Sequence, residues 1–188
     1  MGSDPENPRV ILLISGKRKC GKDFITGQLK FRLGYECNIL RISEPIKKYY
    51  AEKCGISLEE LLSDGPLKEK YRLEMIIWGE KMRSEDPGYF CRIACKNSSR
   101  TPIWIVSDIR RKTDIEYFKK TYGYKIRTVR INVNETVRQS RGWIYKQGVD
   151  DAESECDLDD FNNWDLEITN DGCDDGNNLQ KILALLKF

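Results

Sequence analysis

Short apolar runs alternate with longer segments of helical period along this chain. Arg9–Ser15 (RVILLIS) is continuous and β-rich, which predicts a buried strand. Ile25, Leu29 and Leu33 then recur at helical spacing, and Asn38–Ser43 (NILRIS) predicts a second strand. Ser43 is a candidate cap for a helix with Pro45 in its first turn and Ile46, Tyr49 and Tyr50 on one stripe. A longer helix is expected from Pro66 to about Arg83, with Leu73, Ile76 and Ile77 inward, broken by Asp86-Pro87-Gly88. Ile103–Val106 predicts a third strand, running into Ser107-Asp108. Thr113 to Glu116 has capping-box spacing for a helix that stops near Gly123. Lys125–Val133 predicts a fourth strand, and Asn134 a cap for a short helix through Arg141. Trp143–Asp151, with Gly148 and no strong period, predicts a mobile flap. Asp165–Thr169 is a candidate fifth strand, and Leu179, Ile182, Leu183 and Leu186 mark a closing amphipathic helix.

Strands alternating with helices predict an α/β fold in three layers, a parallel five-stranded sheet flanked by helices. The 188 residues suit one domain, with a phosphate loop over 8–24, acceptor-binding helices over 43–97 and a small helical lid over 134–156. No run of 18 apolar residues occurs, and the opening Met1–Glu6 matches neither a secretory leader nor a myristoylation signal. A cytosolic monomer with no membrane partner is expected.

Net charge is only +2, but it is polarised. Residues 1–149 carry 30 Lys/Arg against 18 Asp/Glu, whereas residues 150–175 carry twelve acids and no base. The basic body suits an anionic ligand. Its cations cluster at element ends rather than in one run with interleaved aromatics, which favours small phosphates over nucleic acid. There is no histidine, so Ser-His-Asp, Cys-His and His-ligated metal chemistry are excluded. Seven cysteines without a C-x-x-C read as reduced thiols.

Gly16-Lys17-Arg18-Lys19-Cys20-Gly21-Lys22 fits G-x-x-x-x-G-K between a strand and a helix, where curled backbone N–H groups and a helix N-terminus bind phosphate. Lys22 is the candidate for the β- and γ-phosphates. Asp23 stands where Ser or Thr commonly meets Mg²⁺, and with Asp108 it is a candidate metal carboxylate. Arg110 and Arg111 follow a buried strand's carboxyl end, where α/β sheets bind ligands, and guanidinium grips phosphoryl oxygens in pairs. Arg138 and Arg141 are candidates for the flap; Lys47, Lys68, Arg72 and Arg83 form a candidate set for an acceptor with more than one negative group. These features leave open a nucleoside-monophosphate kinase, a non-enzymatic nucleotide-binding regulator and, third, a nucleic-acid binder.

Four blocks, GKRKCGKDF (16–24), WGEKMRSEDPGYFCR (78–92), PIWIVSDIRR (102–111) and RGWIYKQGVDDAESEC (141–156), resemble the animal-type phosphomevalonate kinases from about residue 9 to the end. That resemblance implies a P-loop, nucleoside-monophosphate-kinase-like fold. It also implies ATP- and Mg²⁺-dependent phosphorylation of (R)-5-phosphomevalonate to the 5-diphosphate on the mevalonate route to isoprenoids and sterols, cholesterol among them. By the same resemblance Gly16 and Lys17–Asp23 bind ATP, with Gln180 a weaker contact. Lys22, Arg18, Arg110, Arg111 and Arg141 serve catalysis; Arg141, from the lid, also binds ATP, and Arg110 and Arg111, with Asn170 of TNDG (169–172), also bind substrate. Cys20 stands where the family's loop is expected to carry Ser. Asp171 stands where the family often has His.

Overall fold

The computed structural model describes residues 8–63, 65–172 and 176–186. The acids at 174 and 175 and the opening Met1–Glu6 lie outside these residues. Five parallel strands, β1 (Val10–Ser15), β2 (Cys37–Leu40), β3 (Ile103–Ile109), β4 (Ile126–Asn132) and β5 (Leu166–Thr169), lie in the order β2-β3-β1-β4-β5. The central strand β1 is buried along its whole length because both faces are covered.

The pleat sorts its side chains. Val10, Leu12 and Ile14 join Ile25 and Leu29 of α1 (Lys22–Leu33) and Ile182 of α9 (Asn177–Ala184) in one core layer. Ile11 and Leu13 face the other way, against Phe90 and Cys91 of α5 (Tyr89–Lys96) and Ile115 and Phe118 of α6 (Lys112–Tyr122). A third cluster, Tyr50, Ala51, Leu61 and Met75, joins α2 (Glu44–Cys54), α3 (Leu58–Leu62) and α4 (Pro66–Glu85) into a helical arm beside the sheet. The remaining elements, α7 (Glu135–Ser140) and α8 (Glu153–Cys156), lie in the expected lid.

Several local expectations are corrected. β2 ends at Leu40, three residues early, because Asp108 takes the main-chain N–H groups of Ile42 and Ser43 at 2.7 and 3.0 Å. The Ser43 side chain makes no cap hydrogen bond. The start of α6 is capped by Asp114, whose carboxylate accepts the N–H groups of Arg110 and Arg111, both at 3.0 Å, in place of the Thr113/Glu116 box. Leu73 and Ile77 are exposed, since α4 buries its Met75–Gly79 side instead. Helices α3 and α5 were not expected. Trp143 and Val149, in the expected flap, are buried.

Candidate active site

A cavity of about 710 Å³ opens where the carboxyl ends of β1 and β3 meet the helical arm. Ten of its lining residues are Lys or Arg and four are Asp or Glu, a balance that suits an anionic ligand. The loop and the start of α1 supply Arg18, Lys19, Gly21, Lys22 and Asp23; the helical arm supplies Lys47, Lys68, Arg72 and Arg83; Asp108, Arg110 and Arg141 complete the wall, and Glu69 pairs with both Arg18 and Arg72.

The loop takes its shape from close approaches. A Cβ on Gly16 would lie 2.5 Å from Cys20 Sγ and 2.8 Å from the Ile131 carbonyl oxygen. Gly21 has φ +87°, and a Cβ there would meet Asn170 Nδ2 at 2.3 Å. Lys19 holds φ +65°, an uncommon conformation for a side-chain-bearing residue. Three carbonyls are tied from outside. Arg138 Nε donates to the Arg18 carbonyl at 3.1 Å, Arg141 Nη1 to those of Lys19 and Cys20 at 3.3 and 3.1 Å, and Asn170 Nδ2 to that of Cys20 at 2.9 Å. A trans peptide sends the following N–H the opposite way, so Lys19 and Gly21 turn theirs away from these donors. The bend is therefore a built anion cradle, with the start of α1 behind it and Lys22 buried at its floor.

Asp108 is the buried pivot of the far wall. Burial opposes its charge, but the hydrogen bonds from Ser43 and the Lys47 ammonium hold its carboxyl below the usual range. Lys47 pays the reverse way: burial pulls its pKa down to about 8, which Asp108 counters and Lys68, Arg110 and Arg41 reinforce. Arg83 bonds Asp114 at 2.5 Å and lies over the Phe90 ring at 5.2 Å, while Arg72 Nε donates to Glu69 at 3.1 Å.

Not every expected residue reaches the wall. Gly16 and Cys20 shape the loop from behind. Lys17 turns out to Asp159 at 2.6 Å, and Gln180 is exposed on α9. Arg111 is buried behind the cavity, paired with Glu80, which does line it, and with Glu153. Asn170 sits under the loop, where its carbonyl accepts from Arg141 at 2.8 Å. Phe161 and Trp164 pack edge to face, their centroids 4.7 Å apart, as side chains of the second core layer.

A family model described as phosphomevalonate kinase matches residues 14–124. A phosphomevalonate kinase from Drosophila melanogaster is 49% identical over 166 residues, covering 86% of this chain and 88% of its own. This chain belongs to the phosphomevalonate kinase family. A crystal structure of a Thermus thermophilus protein aligns over 97% of this chain and all of its own with a TM-score of 0.55 at 17% identity, which supports the fold alone.

Seen as a phosphomevalonate kinase fold, the site contains residues that sequence reasoning missed. Arg41 lines the cavity just beyond β2. Arg130 is buried on β4, reaching Ser15 Oγ and Asp159 at 3.0 Å each. Asp150 binds Arg18 at 2.7 Å and the Trp143 indole N–H at 2.8 Å. A buried arginine inside a predicted strand was the available signal for Arg130. The acidic partners carried no local signal beyond their density.

Among the described residues no cluster of three or more His, Cys, Asp or Glu could hold a metal. Both Asp108 oxygens already accept a main-chain N–H, whereas Asp23 is exposed on the cavity wall. Asp23 thus fits a Mg²⁺ ion that arrives with nucleotide phosphates, and a lone carboxylate does not make a resident metal site. No helix among the described residues is long and apolar enough to cross a membrane.

Proposed function

We propose that this chain transfers the γ-phosphoryl group of ATP to the phosphate of (R)-5-phosphomevalonate, giving 5-diphosphomevalonate and ADP, a step on the mevalonate route to isoprenoids and sterols. The observation that carries it is one cavity lined both by the phosphate-binding loop and by cations of the helical arm, in a chain 49% identical to a curated phosphomevalonate kinase.

In this account Lys19, Gly21 and Lys22 hold the β- and γ-phosphates; Asp23 would hold a Mg²⁺ ion, which would supply charge neutralisation there. Asp108 holds the start of α2, and a metal contact from its remaining lone pairs is secondary. Lys47, Lys68, Arg72 and Arg83 hold an acceptor that carries a carboxylate at one end and a phosphate at the other. An oxygen of the acceptor phosphate forms a bond to the γ-phosphorus while the bond to the β-bridging oxygen breaks, and ADP leaves. The attacking oxygen is already anionic at neutral pH, so no general base is required. The work lies in bringing two polyanions together, which fixed cations do without reorganising. Arg18 and Arg110 meet the transferred group. Arg111 acts through Glu80 and the lid's Glu153, and Arg141 and Asn170 support the nucleotide loop from the lid side. Gln180 is at most a peripheral nucleotide contact, on an exposed turn of α9.

Every residue invoked comes from one chain, so a monomer suffices, and a cytosolic location accompanies the proposal. The test is ADP release with ATP, Mg²⁺ and phosphomevalonate, set against a panel of nucleoside monophosphates. Turnover with a nucleotide acceptor and none with phosphomevalonate would overturn it.

A further inference from the structure

Four acids of the stretch, Asp150, Glu153, Glu155 and Asp159, pair with cations in or behind the phosphate site. Glu155, on α8, lines the cavity with its side chain only 5% exposed. One carboxylate oxygen accepts the main-chain N–H of Arg18 at 2.8 Å, and the other takes Nη1 of Arg110. Burial opposes this charge, but Arg110 and Lys22, together with the Arg18 N–H, hold it ionised. A loop N–H, a guanidinium and an ammonium are the donors a phosphoryl group recruits.

We propose that Glu155 is the resident counter-ion of the phosphate site, a positioning residue that holds Arg110 and the loop in the unliganded enzyme and is exchanged for an incoming phosphoryl group.

Two features of the molecule support an exchange rather than a permanent strut. The cation density of the site needs an anion, but a buried carboxylate and a phosphoryl group cannot both be charged at one point. The segment is also held to the site largely by charge. Val149 and Leu158 pin it by apolar burial. Between and beside them its ties to the site are ionic, Asp150 to Arg18, Glu153 to Arg111 and Asp159 to Lys17 and Arg130. Arrival of phosphate competes directly for Arg18 and Arg110, the cations of this set that line the cavity, and so weakens the Asp150 and Glu155 ties together. Arg110 is then released only when there is a phosphoryl group for it to meet. This inference rests on the proposed function only in that the cavity binds phosphoryl groups.

The test is titration calorimetry of Mg·ATP binding to wild type and Glu155→Gln without acceptor, with thermal melts of both. If the carboxylate must leave, binding carries the penalty of displacing it, so Glu155→Gln binds ATP about fivefold or more tightly while its unliganded Tm falls. Glu155→Asp, which keeps the charge, restores weaker binding. In steady state KM for ATP falls and kcat changes less. A lower Tm with ATP affinity unchanged or weaker marks a merely structural role and overturns the proposal. Hydrogen exchange on the wild-type protein decides the matter independently of any variant: amides in 150–160 exchange faster with ATP bound, and unchanged or slower exchange overturns it. Wild-type turnover of phosphomevalonate is measured alongside. Tighter ATP binding in Glu155→Gln with an inactive wild type would sink the assigned substrate and leave this inference standing. An active wild type without tightening would do the reverse.

Discussion

The side-chain amide of Asn170 donates to the carbonyl oxygen of Cys20 at 2.9 Å, across 150 positions of sequence. The same amide nitrogen would lie 2.3 Å from a Cβ on Gly21. One side chain, just past the end of β5, therefore ties the outer curve of the phosphate loop and crowds its second hinge, where φ +87° already favours glycine.

Asn170→Ala removes one of the ties that turn the loop's carbonyls outward. We expect KM for ATP to rise about fivefold, the equivalent of one hydrogen bond of about 1 kcal/mol, with a smaller change in KM for the acceptor. A larger shift in KM for the acceptor than for ATP would show that the residue serves the acceptor instead.

Arg141 makes two of the remaining ties and the bond to Asn170 itself. Arg141→Ala is expected to raise KM for ATP more than Asn170→Ala does, by about tenfold or more, since charge-assisted bonds are the stronger kind. Unaltered KM and kcat would remove Arg141 from the nucleotide site.

Lys22→Met should lower kcat by about 100-fold or more through lost charge stabilisation in the transition state. Arg111→Met acts through Glu80 and Glu153, so it should hurt kcat more than ATP affinity. A folded Lys22→Met protein with near-normal kcat, or an Arg111→Met protein with wild-type kinetics, would end the respective role.

Lys47 titrates at about 8, lowered from the ordinary lysine value by burial and by Lys68, Arg110 and Arg41, against Asp108. Its charge is present below pH 8 and lost above it, while a phosphate acceptor is already fully ionised there. KM for the acceptor should therefore rise about five- to tenfold between pH 7 and 9, and Lys47→Met should flatten that rise. The stability sign is opposite. Between pH 8 and the unfolded lysine value the unfolded chain binds more protons, so this residue's contribution to stability grows as pH rises. A pH-independent acceptor KM would refute the assignment.

Asp108→Asn places an amide where both oxygens accept main-chain N–H groups, setting a donor against a donor at the head of α2. A loss of about 1–3 kcal/mol is expected in denaturant unfolding. In the wild type this carboxyl is held below its usual range, so its contribution is present above about pH 3.9 and is lost as pH falls through the lower folded value. Wild-type stability in the Asn variant would mean that those two bonds contribute nothing net.

Much of the fold was written locally. A run of five apolar residues, Val10–Ile14, a G-x-x-x-x-G-K bend and a helical stripe name β1, the loop and α1 without any knowledge of the rest, because their patterns follow from backbone period and glycine's freedom at positive φ. The basic cluster at the end of β3 was legible for the same reason. Which side of α4 faces inward was not: Leu73 and Ile77 are as apolar as Met75, and only the packing of α2 and α3 against that helix buries one side. Nor was the division of labour between Arg110, which lines the cavity, and Arg111, which stands behind it, since neighbours in sequence leave a strand end in different directions.

By itself, then, the sequence determined the parallel sheet, the anion-binding bend and the supply of cations for a phosphorylated ligand. The tertiary structure alone decided which carboxylates meet which cations. Arg18 and Asp150, Arg110 and Glu155, and Cys20 and Asn170 are separated by 45 to 150 positions. Electrostatics and hydrogen bonds act over a few ångströms of space, and no local period in a chain encodes a distance that only folding creates.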